Sequence, residues 1–393
     1  SFIHNLSNFS TRTIKTKEGD FIKLIINGFV SNNNYGQAEL PVLKKLFNIP
    51  FGAEVIIKIE NYEKQTISLF DYDINLPIFP TQPSLSKGDN VEDVPFIFDK
   101  AFYQTNSFDE TPFVTTQLLG KMRGRKIARL NISPVRYNPV TNELLIITYI
   151  EVKVTFKNTN HEKDLAIRKK YYNPNFEHQF KQFINYLPLS SKDVITNYPI
   201  KYVIISDPMF QTILQPFVEW KIKKGFLVVE GYTNDPNVGS TTTSIKAFIK
   251  TIYDNATVND PPPTYLLIVG DEAQIPSFSG NTGSHISDMY YCEFDGGGDF
   301  YPEMYYGRFS ATIPEELTPQ VLKTLEYEQY TMPDPTYLDE VLMVAGVDAS
   351  MAPTYGNGQI NYGTDHYYNI AHGLTSYTYL YGSGSPITSD SPG

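Results

Sequence analysis

The second half of the chain alternates between short apolar runs and segments with helical hydrophobic spacing. The run Thr264–Val269 is unbroken and apolar, which is typical of a strand buried on both faces of a parallel sheet. Repetition of strand and helix predicts a doubly wound α/β fold. The predicted strands are Lys201–Ser206, Phe226–Gly231, Thr264–Val269, Asp339–Gly346 and Ser376–Tyr381. The predicted helices are Met209–Gly225, Thr242–Asn255, Pro314–Tyr330 and Gln359–His372.

The first half shows a different pattern, in which β-branched and aromatic residues form short runs separated by turn residues. This pattern predicts an all-β sandwich. We expect two domains, with residues 1–190 as the sandwich and 191–393 as the α/β part. A short helix around Phe176–Tyr186 and an exposed linker are expected between them. The predicted strands are Phe21–Ile26, Glu54–Ile59, Thr66–Leu69, Lys126–Ile132 and Glu143–Phe156.

Composition narrows the functional classes. A chain of 393 residues with 41% hydrophobic and 19% charged residues is globular and too long for one ordinary core. The net charge of −11 argues against nucleic acid as a partner, because phosphate contacts need a basic surface. Cys292 is the single cysteine, so no internal disulfide is possible. No apolar run approaches membrane-spanning length, and the start at Ser1 fits a processed terminus.

An acidic, glycine-rich segment follows the run Thr264–Val269. It holds Asp295, Asp299 and Glu303, and Asp271 comes directly after the predicted strand. Calcium binds several carboxylate and carbonyl oxygens on a flexible loop, and the carbonyl of Tyr301 is a further candidate ligand. The spacing is equally compatible with a solvated acidic hairpin loop, since it is not the strict EF-hand pattern.

Other candidate residues have weaker support. Asp348 follows a predicted core strand, where both site residues and helix caps occur. Cys292 has no convincing base near it in sequence, which indicates a structural cysteine. His366 and His372 do not share a helix face, which makes a metal pair there improbable. The basic cluster from Lys121 to Lys126 is either a solvated loop or a peptide presented to an acidic pocket.

Several ordered segments resemble the gingipain-type cysteine peptidases, and the lysine-specific branch more than the arginine-specific one. Residues from about Pro199 to the end resemble the first half of the catalytic domain, and residues 1 to about 190 resemble the propeptide. In the propeptide part, Arg136–Thr141 is the most typical piece. The segments in the catalytic part are Phe217–Phe226, Ser244–Ile249, Leu267–Asp271, Asp288–Tyr291, Phe300–Tyr305, Thr331–Asp334, Val344–Asp348, Tyr367–Asn369 and His372–Gly373.

The resemblance implies a caspase-like α/β fold and an endopeptidase that cuts after basic residues, with lysine favoured over arginine. It implies Asp348 as the acid that orients a catalytic histidine. It also implies calcium as cofactor, although the insertion Gly296–Gly298 departs from the family loop and makes Asp295 the least secure ligand. The family's catalytic histidine and cysteine lie beyond Gly393, so we expect this chain alone to be inactive. The calcium ligands implied are Asp271, Asp295, Asp299, Tyr301 and Glu303.

The first domain is then expected to be an inhibitory propeptide bound to its own catalytic domain. Lys121 and Arg123 are the candidates for blocking the specificity pocket in a substrate-like pose, and cleavage after Lys181 or Lys192 would activate the enzyme. The expected partners are protein or peptide substrates, and the expected location is outside the cell or at the bacterial surface. The alternatives are a non-catalytic peptidase-like surface or secretion-system protein and, less favoured, a calcium-stabilised adhesion protein.

Overall fold

The computed structural model describes residues 1–6, 9–84, 93–189, 200–257, 259–280, 285–296, 298–346 and 352–382. The chain forms two compact units. The first combines Ser1–Thr81 with Asp99–Leu325, and the second combines Gln82–Phe98 with Glu326–Gly393. The β-rich part and most of the α/β part therefore share one unit.

The N-terminal part is a β-sandwich, as predicted. Its strands are β1 (Phe2–Asn5), β2 (Ser10–Thr16), β3 (Gly19–Ile25), β4 (Val30–Ser31), β5 (Pro41–Ile49), β6 (Glu54–Ser68), β7 (Val114–Met122), β8 (Arg125–Ile132), β9 (Val135–Asn138) and β10 (Glu143–Lys157). One sheet has the order β1-β10-β6, with β9 also paired to β10, and the other has the order β4-β5-β8-β7. Phe47, Leu130 and Ile150 belong to one buried apolar cluster that joins strands of the two sheets.

Strand β6 is longer than the sequence pattern predicted. The predicted strands Glu54–Ile59 and Thr66–Leu69 are parts of this single strand, which pairs with β10 along its length. Register shifts in β10 between Ile147 and Tyr149 and between Glu151 and Val152 keep the pairing intact through the polar middle of β6.

Three helices belong to the N-terminal part. They are α1 (Lys100–Tyr103), α2 (His161–Lys170) and α3 (Pro174–Phe180). Helix α2 was not predicted, because it buries none of its residues and so lacks an apolar stripe. Helix α3 is capped by the Asn173 side chain, and it places Phe176 and Phe180 in an apolar cluster with Tyr301 and Tyr305.

The α/β part is a three-layer structure built on parallel strands, as predicted. Its strands in the first unit are β11 (Ile200–Ser206), β12 (Phe226–Tyr232), β13 (Tyr265–Val269), β14 (Phe278–Ser279), β15 (Ile286–Ser287) and β16 (Tyr305–Phe309). The parallel sheet has the order β12-β11-β13-β16. Its helices are α4 (Gln211–Lys223), α5 (Thr242–Asp254) and α6 (Pro314–Gln329).

Alternate residues of β13 face the two outer layers. Leu266 and Ile268 pack in the cluster that includes α5, whereas Leu267 and Val269 pack in the cluster that includes α4 and α6. A strand covered on both faces needs apolar residues at every position, which explains its unbroken apolar run.

The second unit contains β17 (Glu340–Val344), α7 (Asn357–His366) and β18 (Thr375–Tyr379), and the two strands pair in parallel. The predicted helix 359–372 ends early, at His366. Asp348 lies outside the described residues. Among the described residues, no helix is both long enough and apolar enough to cross a bilayer.

Candidate functional site

The hairpin that joins β7 to β8 is the contact at which the propeptide-like part enters the α/β part. Lys121 pairs with Lys126 and Met122 with Arg125, which leaves Arg123 and Gly124 as a two-residue loop. Both loop residues have positive φ, 53° and 71°, as a type I′ turn requires. A Cβ added at Gly124 would lie 2.7 Å from Ile167, so glycine is needed there for space as well as for φ.

Arg123 is buried at the tip of this hairpin, with 1% of its surface exposed. Its Nη1 donates to the carbonyl oxygens of Pro263 at 2.7 Å and Glu303 at 3.2 Å, and its Nε donates to that of Tyr171 at 3.2 Å. The rings of Phe176 and Tyr253 flank the guanidinium at 5.1 and 5.9 Å. Carbonyl dipoles and ring faces thus surround this cation, which suits an arginine buried away from water.

The acidic segment lies directly against the same hairpin. The Asp299 carboxylate accepts a hydrogen bond from the Lys121 backbone N–H at 2.9 Å. The Glu303 carboxylate accepts from the Arg123 backbone N–H and from the Tyr253 hydroxyl. The Lys121 ammonium forms an ion pair with Asp295. The hairpin therefore supplies one cation and two amide donors to three carboxylates.

Burial changes the acidity of two of these groups. Only 1% of Glu303 and 6% of Asp299 is exposed. Burial raises the pKa of Glu303 to about 8, against the opposing effect of the donors from Tyr253 and Arg123. Burial also raises the pKa of Asp299, although the backbone N–H groups of Lys121 and Tyr301 lower it. Two carboxyl groups are held in surroundings that disfavour their charge unless a donor or cation compensates.

The hairpin and α3 dock at the amino edge of the parallel sheet. Pro263 and Glu303 precede β13 and β16 respectively, so the Arg123 contacts lie where these strands begin. Asn173 donates to the Thr264 hydroxyl at 2.6 Å, again at the start of β13. Arg125 reinforces the join within the propeptide part through a buried ion pair with Glu177 at 2.8 Å.

Asp271 lies at the opposite edge of the sheet. Tyr265 pairs with Tyr305, Glu303 comes before that pair, and Asp271 comes after the other end of β13. The strand rise separates Asp271 from Glu303 by roughly 20 Å or more. The predicted calcium set therefore does not come together, and one ion cannot be shared by all five residues in this arrangement.

The other predicted ligands do not form a metal site in this arrangement either. No group of three or more His, Cys, Asp or Glu side chains suited to a metal is found in the described part of the chain. The carboxylates of Asp295, Asp299 and Glu303 already interact with Lys121, Tyr253 and backbone N–H groups. These residues do not fit calcium while the hairpin is docked, and no chemical step is derived through the ion.

The predicted roles of Lys121 and Arg123 also need correction. Sites in open α/β folds lie at the carboxyl edge of the sheet, whereas these two residues lie at the amino edge. Their side chains bind acidic and carbonyl groups of the docking surface, so neither adopts a substrate-like pose at the carboxyl edge. The sequence identified the right hairpin but assigned it to the wrong edge.

The two predicted activation sites differ in what the structure shows. Lys181 is exposed, but Phe180 and Phe183 on either side of it are buried. The following Ile184 N–H donates to the Leu46 carbonyl at 2.9 Å, which fixes the segment to β5. A protease would have to unpack this segment to cut there. Lys192 lies outside the described residues.

Cys292 is a structural residue, as its sequence context indicated. It is fully buried in the apolar cluster beside α5, and burial raises the pKa of its thiol well above the ordinary range. We expect less than one tenth of the native chain to be alkylated by iodoacetamide within the time that fully modifies the urea-unfolded chain. Intact mass measures both. Rapid modification of the native chain would contradict the buried position.

Sequence reasoning missed an ion pair that shapes the carboxyl edge. Arg308 on β16 binds Asp288 through two nitrogens, at 2.6 and 2.8 Å. The same guanidinium donates to the carbonyl oxygens of Gly270 and Ile275 at 2.8 and 3.0 Å. Arginine near the end of a core strand and the Asp288–Tyr291 segment were the available signals, but only the fold shows that they meet. This network fixes the loop after β13.

Comparisons with known proteins agree with this two-part structure. Residues 3–186 match the propeptide model of family C25, and residues 195–382 match the model of peptidase family C25 itself. Lys-gingipain W83 of Porphyromonas gingivalis is 36% identical over 93% of this chain, which spans 21% of that relative. Gingipain R1 of the same organism is 26% identical over 89% of this chain, which spans 34% of that relative.

Solved structures give partial overlaps. One described as showing the zymogenic latency of gingipain K from Porphyromonas gingivalis is 32% identical and has a TM-score of 0.38. It covers 40% of this chain, which covers 86% of it. Another, described as a protease, is 39% identical and has a TM-score of 0.45. It covers 49% of this chain and 42% of its own.

The sandwich, the parallel sheet and the two ordered matches define a peptidase-type α/β part preceded by its propeptide. The chain belongs to peptidase family C25. It spans about a fifth of the length of the Lys-gingipains that it matches.

Proposed function

We propose that this chain is the propeptide and first catalytic part of a cysteine endopeptidase zymogen that cleaves after basic residues, with lysine favoured. The observation that carries the proposal is the ordered match to the two C25 segments, which span nearly the whole chain. The lysine preference rests on the higher identity to Lys-gingipain than to gingipain R1. Secretion or surface location is proposed on the same relationship.

Asp348 is proposed to orient the catalytic histidine. A carboxylate that accepts from one imidazole nitrogen fixes the tautomer, and the other nitrogen is then free to take the proton of the thiol. The histidine and the nucleophilic cysteine are proposed to come from sequence beyond Gly393. Cys292 is buried and has a raised pKa, which disqualifies it as the nucleophile.

Latency is proposed to come from the propeptide segment Gln82–Phe98. This segment belongs to the same compact unit as Glu326–Gly393, the segment that contains Asp348. The docked β7–β8 hairpin contacts the amino edge of the sheet and is proposed to hold the propeptide in place. Retention and inhibition are therefore proposed to reside in different parts of the propeptide.

The test compares this 393-residue chain with the natural chain extended past Gly393, after propeptide cleavage, on lysyl and arginyl peptide substrates. We expect thiol-dependent cleavage by the extended chain alone, with lysyl substrates preferred. Asp348→Asn in the extended chain should lower kcat at least tenfold with little change in KM, since the residue orients a catalytic group. An extended chain that folds but has no activity would favour a non-catalytic peptidase-like protein.

A further inference from the structure

The contact between the β7–β8 hairpin and the acidic segment carries a further inference, which rests on the proposed zymogen function. Three carboxylates there have different partners. Asp295 has the Lys121 ammonium, Asp299 has the Lys121 N–H, and Glu303 has the Arg123 N–H. Each of these partners belongs to the propeptide, whereas each carboxylate belongs to the peptidase part.

The fit between hairpin and segment is close. A Cβ added at Gly120 would lie 2.2 Å from Asp299 Oδ1 and 3.1 Å from the Tyr301 ring. Only a residue without a side chain allows the backbone to approach the carboxylate this closely. The hairpin thus fills the space in front of Asp299, and no second ligand of that carboxylate can occupy it at the same time.

Withdrawal of the hairpin would leave the carboxylates without these partners. Glu303 would keep the Tyr253 hydroxyl and Asp299 would keep the Tyr301 N–H, but the ammonium and both hairpin amides would be lost. Neighbouring carboxylates without a cation repel one another, and oxygen ligands of this kind suit a divalent cation. A cleft of about 350 Å³ borders the hairpin, with Asp295 and Glu303 among its lining residues, so that an ion has a route to the segment.

We propose that the acidic segment binds either the propeptide hairpin or a divalent cation such as calcium, but not both. In the docked state Lys121 and two amide N–H groups take the place of the ion. Exclusive binding makes the coupling reciprocal, so the cation weakens hairpin docking by the same factor by which the hairpin weakens cation binding. The absence of a metal site in the docked structure follows directly.

Hydrogen exchange of the full chain tests this proposal, because the Lys121 and Arg123 amides donate to the segment. Exchange is followed by mass spectrometry on peptides spanning 118–124, first with a chelator and then with increasing calcium chloride. We expect calcium to accelerate exchange there at least tenfold. The β5–β8 ladder, represented by the pairing of Leu43 with Ile132, should not respond. Binding of calcium itself is measured in parallel by equilibrium dialysis.

Two sets of variants separate charge from shape. In Asp299→Asn combined with Glu303→Gln, the amide oxygens still accept the hairpin N–H groups, but the charge that binds calcium is gone. The calcium response should disappear in this variant. Lys121→Met should lower the calcium concentration for half-maximal exchange about threefold or more, whereas the matched Lys126→Met should leave it unchanged. Gly120→Ala should accelerate exchange even in chelator.

Three outcomes would overturn the proposal. Calcium could bind without changing hairpin exchange, it could slow that exchange, or it could fail to bind at millimolar concentration. An equal calcium response in the Asn/Gln variant would do the same, because it would place the ion elsewhere. None of these readouts depends on peptide cleavage, so failure here is distinguishable from failure of the proposed enzymatic function.

Discussion

Replacing Arg123 with alanine is expected to lower the free energy of unfolding by about 3 kcal/mol or more. The change removes a fully buried side chain, leaves the Pro263 and Glu303 carbonyls without their donor, and opens a cavity between the Phe176 and Tyr253 rings. Each of these effects is unfavourable, because buried acceptors without donors and unfilled space both destabilise the folded state.

Urea unfolding followed by the fluorescence of Trp220, the single tryptophan, measures this effect in the α/β part. The unfolding midpoint should fall by about 1 M. Arg123→Lys should give an intermediate loss, since an ammonium keeps the charge but cannot reach all the acceptors of the guanidinium. Arg12→Ala, at an exposed position on β2, is the matched control and should change stability by about 0.5 kcal/mol or less. If Arg123→Ala matched that control, Arg123 would not anchor the propeptide.

Stability in the presence of a chelator is expected to fall as the pH rises from about 4.5 to about 8. Glu303 has its pKa raised to about 8 by burial, compared with 4.5 for the unfolded group. Between these values the folded state binds more protons than the unfolded state, so raising the pH favours unfolding. The contribution of Glu303 is fully present below pH 4.5 and is lost as the pH passes through 8, with a total of a few kcal/mol.

Comparison with Glu303→Gln isolates this group from all others that titrate. The glutamine keeps an acceptor for the Arg123 N–H and the Tyr253 hydroxyl, but it does not ionise. The variant should match the native chain near pH 4.5 and exceed its stability near pH 8, measured by urea midpoints across the range. Parallel pH profiles for the two proteins would show that another group causes the dependence.

The fold was predictable where local pattern and burial agree. The apolar run of β13 and the stripes of α4 and α5 follow directly from packing on two sheet faces. Helix α2 lacks such a stripe, and the polar middle of β6 is held as strand by its pairing with β10. In both elements long-range contacts decide the structure, so no local pattern records them.

The candidate site shows a sharper division. The acidic segment and the basic hairpin were both evident in the sequence, but their mutual contact was not, because docking depends on the whole surface. The separation of Asp271 from Glu303 was accessible in principle. One residue follows a strand and the other precedes a neighbouring parallel strand, so the two must lie at opposite edges of the sheet.

Docking of the propeptide at the amino edge of the sheet has a consequence for how the family can diversify. The loops at the carboxyl edge, where α/β proteins place their sites, take no part in the contacts of Arg123 and Asn173. Substitutions that change substrate preference can therefore accumulate there without weakening recognition of the propeptide by its partner surface. A lineage could exchange one cleavage preference for another while inheriting the same chaperone segment, provided that the amino-edge residues of both parts change together.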